Sequence, residues 1–323
     1  MVAPSTEWRE RVAPDEDTRF ARYAKQIGEL QAAETAKRGT PGRALHRKQI
    51  LGMRASCEVG GDLPAYACHG LFARPGRYDA QLRLSNGASR HQPDRTPDVR
   101  GLALRVLGVA GDGALGRPTT EQHFLLINQA TFGLASADEF AGLVQAAPRG
   151  NLAVLRYMIG RHGLFGGLGA VRRLAKGLGQ PFAGFARTAM HSAAPIACGP
   201  YAAKVRLLPD NAAAPAARAV DWAADVTERL AAGPLHWDLQ LQFFVDAATT
   251  PIEDPTIAWP EAAAPFVTVA RVTAPAQDPT AVAAEIEAAR FDPWNALAAH
   301  RPLGEIMRAR KAAYYTSTQG RGA

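Results

Sequence analysis

At 323 residues with 47% apolar content, the chain can bury one large core or two small ones, and its apolar content and mixed charge exclude disorder. A net charge of +7 admits nucleic acid, anionic lipid or an anionic cofactor, but the basic residues form no dense run interleaved with aromatics, which argues against nucleic acid. No run of about 18 apolar residues suggests a spanning helix, and the opening MVAPSTEWRERVAPDEDTRF lacks the apolar centre of a secretory signal.

Residues 17–38 carry helical apolar spacing that stops before Gly39 and Pro41. This predicts a helical arm over 1–40 and a main domain over 41–323. From about residue 49 the texture changes. CEV, YDAQLRLS, VRGLALRVLGV and EQHFLLI read as strands, several with period-two alternation. The segments between them, LFARPGRY, HQPDRTPD and GDGALGRP, are loops. Parallel strands would need intervening helices, so the sheet is predicted to be antiparallel, open or closed into a barrel. Residues 136–190 are helical in texture and rich in glycine. Strands return at Tyr201–Leu208, Trp237–Val245 and Phe266–Thr273, with a helix over Val220–Ala232. Two helices close the chain, Pro279–Ala289 and Leu303 to Tyr315. The alanine runs AAAPAARA and AWPEAAAP read as loop filler. Cys57, Cys68 and Cys198 show neither C-x-x-C nor metal spacing, so free, partly buried thiols in a cytoplasmic protein are expected.

Arg310 and Tyr314 lie four residues apart and share a helix face, whereas Tyr315 points about 100° away. A tyrosine phenolate can ligate ferric haem. With a free pKa of about 10 it needs a neighbouring cation to ionise at neutral pH, and an arginine at i−4 supplies one. Arg43-Ala-Leu-His46 precedes the first strand, and a histidine can relay a proton between the two oxygens of a peroxide. Taken singly, these motifs say little: R-x-x-x-Y is common on helices, and a lone histidine beside a strand is more often structural.

Their order along the chain says more. Arg43-x-x-His46 precedes a strand. Arg83-Leu84-Ser85 lies on the next, Asp98-Val99-Arg100-Gly101 opens a third, and Phe124-Leu125-Leu126-Ile127 with Phe132 follows. The chain closes on Arg310-x-x-x-Tyr314 and Arg321. Over about residues 40–323 this resembles the haem catalase superfamily, and most of all its short, catalase-related branch. The stretches Pro251–Asp254 to Trp259-Pro260, Phe266–Thr273 and AAEIEAARFDPWNAL look like the second half of that fold.

The resemblance implies an α+β fold with a catalase-type antiparallel β-barrel core surrounded by helices. It implies haem b as cofactor, with Tyr314 as the iron ligand and Arg310 beside it. His46 matches the distal histidine and Ser85 the serine that fixes its ring. Arg43, Arg83 and Arg321 match arginines that bind haem propionates. Phe132 matches an aromatic over the porphyrin, Phe124 a pocket phenylalanine, and Asp98 an acid of the peroxide channel. There are departures. Thr119, next to Thr120, stands where catalases place an asparagine that helps hold peroxide. Gly87 replaces a valine near the distal serine, which is expected to widen the channel. The outer segments of large catalases are missing, so no NADPH site is expected. Leu45, before the histidine, differs from the threonine of allene oxide synthase relatives.

The activity implied is a haem-dependent peroxidase that reduces organic hydroperoxides and hydrogen peroxide with a small-molecule electron donor. It would have weak catalase activity and act as a homo-oligomer. A fatty-acid hydroperoxide isomerase or lyase, and a non-catalytic haem- or lipid-binding protein, remain as alternatives. His69, His91, His123 and His236 are read as structural or surface residues. Arg172, Arg173 and Lys176 lie in a basic stretch from His162 to Phe185 that could cover the pocket mouth or touch an anionic membrane, with a solvated helix as the plainer expectation.

Overall fold

The computed structural model describes residues 3–210 and 221–322. The first helix, α1 (Glu16–Arg38), has acids in its first turn, bases in its last, and Gly39 in the left-handed conformation as its stop. Phe20, Tyr23, Ala24, Ile27 and Gln31 form its buried stripe. Four long strands follow: β1 (Gln49–Val59), β2 (Gly76–Asn86), β3 (Arg100–Asp112) and β4 (Pro118–Ile127). Two helices come next, α2 (Ala137–Ala146), capped by Ser136, and α3 (Asn151–Leu178). Then come β5 (Met190–His191), β6 (Ile196–Cys198), β7 (Tyr201–Pro209), α4 (Trp222–Ala232), β8 (Leu235–Phe243), β9 (Phe266–Ala274), the short α5 (Ala283–Ala288) and α6 (Glu305–Gln319).

All strand pairings are antiparallel. The neighbours run β5-β4-β3-β2-β1-β9-β8-β7, and β5 pairs in turn with β7, so eight strands close into a barrel with β6 further along the edge of β7. Closure removes the free sheet edges. Alternate residues of each strand face the barrel interior: Leu82 and Leu84 on β2, Leu102, Leu104 and Val106 on β3, Leu239 and Leu241 on β8 are buried. Each such side chain contributes about 1.5–3 kcal/mol relative to exposure. Helices α1, α2 and α6 pack together outside the barrel. Among the described residues, no helix is long and apolar enough to cross a membrane.

The expected barrel is present, with corrections at its seams. Helical structure stops at Leu178 rather than near residue 190, and Met190 and His191 form the strand that closes the barrel. The final helix runs to Gln319, four residues past the expected end. The stretch expected as one helix over Pro279–Ala289 is a 3-10 turn followed by α5. Val220 and the AAAPAARA run lie outside the described residues. Cys57, Cys68 and Cys198 are unpaired.

Candidate active site

His46 sits at the turn into β1. Its φ of 50° makes it the one non-glycine residue with positive φ among the described residues. That conformation is uncommon and is maintained only where surroundings fix it. The His46 amide donates to Gly87 O (2.9 Å), its carbonyl accepts from the Arg83 guanidinium (3.0 Å), and the Arg47 amide donates to Ala88 O (3.2 Å). The imidazole Nδ1 lies 3.1 Å from Ser85 Oγ. In the β2–β3 register Ser85 faces Gly101. A Cβ at Gly101 would come 2.5 Å from His46 Nδ1 and 2.8 Å from Ser85 Oγ, so the glycine leaves the space the ring fills. Burial lowers the His46 pKa to about 3, and the positive charges of Arg83, Arg310 and Arg43 act the same way. The ring is neutral through the physiological range.

The loop between β2 and β3 holds this turn from outside. Asp98 accepts from the Ala88 amide (3.1 Å) and from Gln92 (2.8 Å), and burial raises its pKa. Arg100 reaches Asn86 and the carbonyls of Asp94 and Thr96. Asp98 thus ties down the loop whose Gly87 and Ala88 carbonyls fix His46.

Arg43 and the buried Arg83 both bind Glu287, in the last turn of α5. Arg43 also donates to the carbonyls of Glu287 (3.0 Å) and Ala289 (2.8 Å). Burial brings the Arg43 pKa down to about 9, helped by the charge of Arg83 and opposed by Glu287. Arg321 lies close enough that its charge opposes both arginines, and its own pKa is lowered chiefly by burial. Arg43 and Arg83 share a single carboxylate, and the nearby charge of Arg321 adds to them, which leaves the group positive and suited to an anion with carboxylate oxygens.

Tyr314 and Arg310 project from α6. Arg310 Nη2 donates to Tyr314 Oη at 2.9 Å, and its guanidinium carbon is 5.1 Å from the ring centroid. This is the contact expected from the four-residue spacing. The helix reaches the His46 segment in two ways. The Ala44 amide donates to Ser317 Oγ (3.4 Å), and Leu45 joins Ala313 in one apolar cluster. The charge of Arg310 depresses the His46 pKa, and a Tyr314 phenolate would favour the charged forms of Arg43 and Arg83. His46, Ser85, Arg43, Arg83, Arg310, Tyr314 and Arg321 therefore form one neighbourhood.

Other expected residues stand elsewhere or act differently. Phe132 packs 5.4 Å from Phe140 and against a cluster that joins Phe20 and Tyr23 of α1 to Ala137 and Ala141 of α2 and Ile306 and Ala309 of α6. Phe124 is buried and borders, with Arg310, Met307 and Pro293, a cavity of about 20 Å³. Thr119 pairs with Gly111, roughly 30 Å along β3 from Gly101. Its hydroxyl donates to Glu121 O (3.0 Å) and accepts from the Glu121 amide (3.2 Å), so it is engaged within its own strand. Gly87 does not open the pocket. A Cβ there would meet Val99 O at 3.0 Å and Asp98 Oδ1 at 3.1 Å, so the missing side chain lets the loop pack against the start of β3.

His123 and His236 have structural partners. The His123 ring bonds Glu121 and accepts from the Asp292 amide, and His236 bonds Thr273. Among the described residues, no group of three or more His, Cys, Asp and Glu side chains could hold a metal. Sequence reading missed Gly101 and Glu287. Gly101 stands inside a quoted motif, but only the register shows its place under the imidazole. Glu287 lies 204 residues from Arg83 and carries no local signal.

No protein-family model matches the chain, and no curated protein matches its sequence. Among solved structures it is similar to a fungal catalase (TM-score 0.67, 18% identity, covering 90% of this chain and 64% of that one). It is also similar to a bacterial catalase (TM-score 0.64, 18% identity, 99% and 63%) and to catalase A from Saccharomyces cerevisiae (TM-score 0.64, 18% identity, 90% and 63%). The chain spans just under two thirds of the length of these catalases. At this identity the likeness shows a shared fold: the closed eight-strand antiparallel barrel with surrounding helices.

Proposed function

We propose that the chain is a haem-dependent peroxidase of the catalase-related type, with haem b held through Tyr314 and peroxide handled at His46. The observation that carries this reading is one neighbourhood holding both a neutral, immobilised imidazole and a phenol bonded to a guanidinium. The residues suit haem in their donor chemistry. Tyr314 is a ferric ligand type, and its oxygen accepts from the Arg310 guanidinium at 2.9 Å. The excess positive charge of Arg43, Arg83 and Arg321 suits two propionates. When bound, haem supplies redox-active iron.

The chain's own residues do the rest. His46 accepts the proton of a hydroperoxide and returns it to the departing oxygen, a role open to it because the ring is neutral. Ser85 and Gly101 fix the ring plane, and Asp98 holds the loop that holds the turn. Residues 41–323 form the haem-binding domain in this reading, and α1, from the 1–40 arm, braces α6 through Gln31, which donates to Ser317 O (2.9 Å). Thr119 stands far along β4 from His46 and takes no part in holding peroxide, so the preference for organic hydroperoxides with a small-molecule donor is part of this proposal and does not rest on Thr119. Gly87 no longer adds to that preference.

The test is optical. Haem-replete wild-type protein should show a ferric high-spin spectrum that Tyr314→Phe abolishes or greatly alters. His46→Ala should keep it. A Tyr314→Phe spectrum identical to wild type would overturn the assignment.

A further inference from the structure

The sequence of α3, NLAVLRYMIGRHGLFGGLGAVRRLAKGL, contains no acidic residue. Its backbone breaks at Gly163 (φ 71°, ψ 174°), so the part from Leu164 to Leu178 is a separate helical segment. That segment buries Gly167 and Ala170, and Val171 and Leu174 pack against the cluster of Leu134, Met158 and Ala170. The outward side is not the polar surface of a solvated helix. Leu164 (56% exposed), Phe165 (87%) and Leu168 (47%) project from it. Of the eight exposed large apolar side chains among the described residues, five lie on α3.

Arg172, Arg173 and Lys176 follow this apolar stripe toward the C-terminus of the helix. Arg172 lies seven residues after Phe165, and Lys176 four after Arg172, so they continue the same side of the helix. Arg161 pairs with Asp138, but these three make none of the ion pairs found among the described residues. Apolar and aromatic side chains beside an unneutralised basic strip form the pattern of a helix lying in a lipid interface. A second copy of this segment, which carries no acidic residue, offers the basic strip no complementary charge.

We propose that Leu164–Leu178 is a docking helix for an anionic lipid surface, with Leu164, Phe165 and Leu168 entering the acyl boundary and Arg172, Arg173 and Lys176 meeting the headgroups. The proposal does not rest on the peroxidase reading and is tested on the full chain without haem. Sedimentation is measured with vesicles of phosphatidylcholine alone and of phosphatidylcholine with phosphatidylglycerol. Binding is expected to the anionic vesicles and to fall as salt shortens the screening length below about 10 Å. Exchanging all three bases (Arg172→Glu, Arg173→Glu, Lys176→Glu) should cost at least roughly a hundredfold in affinity, at about fivefold for each positive charge lost. The pair Phe165→Ser and Leu168→Ser should also release the protein, with an unchanged melting temperature. A tryptophan at Phe165 (Phe165→Trp) should shift its emission to the blue on anionic vesicles alone. Equal binding to both vesicle types, unaffected binding by the variants, or a dimer dispersed by Phe165→Ser with no vesicle binding would each overturn the proposal.

Discussion

His46 and Tyr314 differ in how much of the molecule holds them. His46 rests on the β2–β3 register, on a glycine that leaves room for its ring, and on a loop tied by Asp98 and Arg100. Its backbone sits in a conformation the surroundings must enforce. Tyr314 rests on a single helix. Its recorded partner is Arg310 one turn away, and it stays half-buried. The comparison separates two requirements. A proton-handling group must be fixed in place and kept neutral, which takes long-range packing. A ligand needs open approach and a nearby positive charge, which one helical turn supplies.

The largest expected effect falls on the packed side. His46→Ala should cost about 10²–10⁴-fold in peroxide turnover by haem-replete protein while haem is retained. Gly101→Ala should approach the same loss, because its Cβ would fall 2.5 Å from the ring nitrogen. Stopped-flow turnover with parallel absorbance spectra checks both. If Gly101→Ala turned over peroxide at the wild-type rate, the glycine would not position the imidazole.

A smaller effect is expected from the hydroxyl behind the ring. Ser85→Ala should lower turnover by roughly 10–100-fold with the spectrum unchanged, the usual cost of removing a partner that orients a functional side chain. A loss matching that of His46→Ala would mean that Ser85 does more than orient.

The smallest effect sharpens the comparison through pH. His46 is held near 3, and His300 and His191 near 4, all chiefly by burial. Below about 6.5 the unfolded chain protonates these rings while the folded chain does not. Stability is therefore unaffected above that pH and falls as pH drops toward the folded values, by about 1.4 kcal/mol per unit for each ring kept neutral. Melting temperature should decline between pH 6.5 and 4.5, and His46→Ala should blunt the decline. Turnover, limited by loss of neutral His46, should show no inflection near 6.5. An inflection there would mean that the ring is solvated and loosely held.

The sequence by itself determined the long strands, the helix carrying Arg310 and Tyr314, and the pairing of those two side chains. Period-two burial and the four-residue helical repeat are local, so each strand or turn carries its own signal. It also marked His46, Ser85, Arg43 and Arg83 through their order along the chain. Only the tertiary structure decided what joins distant segments. The strand that closes the barrel is two residues long, too short for any period to show. The space under the imidazole depends on Gly101 facing Ser85, a matter of register between strands. The carboxylate between Arg43 and Arg83 comes from more than 200 residues away. The direction of Gly87, read from sequence as a wider channel, turned out to be toward Val99, because a missing side chain opens whichever side its Cα faces, and only packing fixes that side.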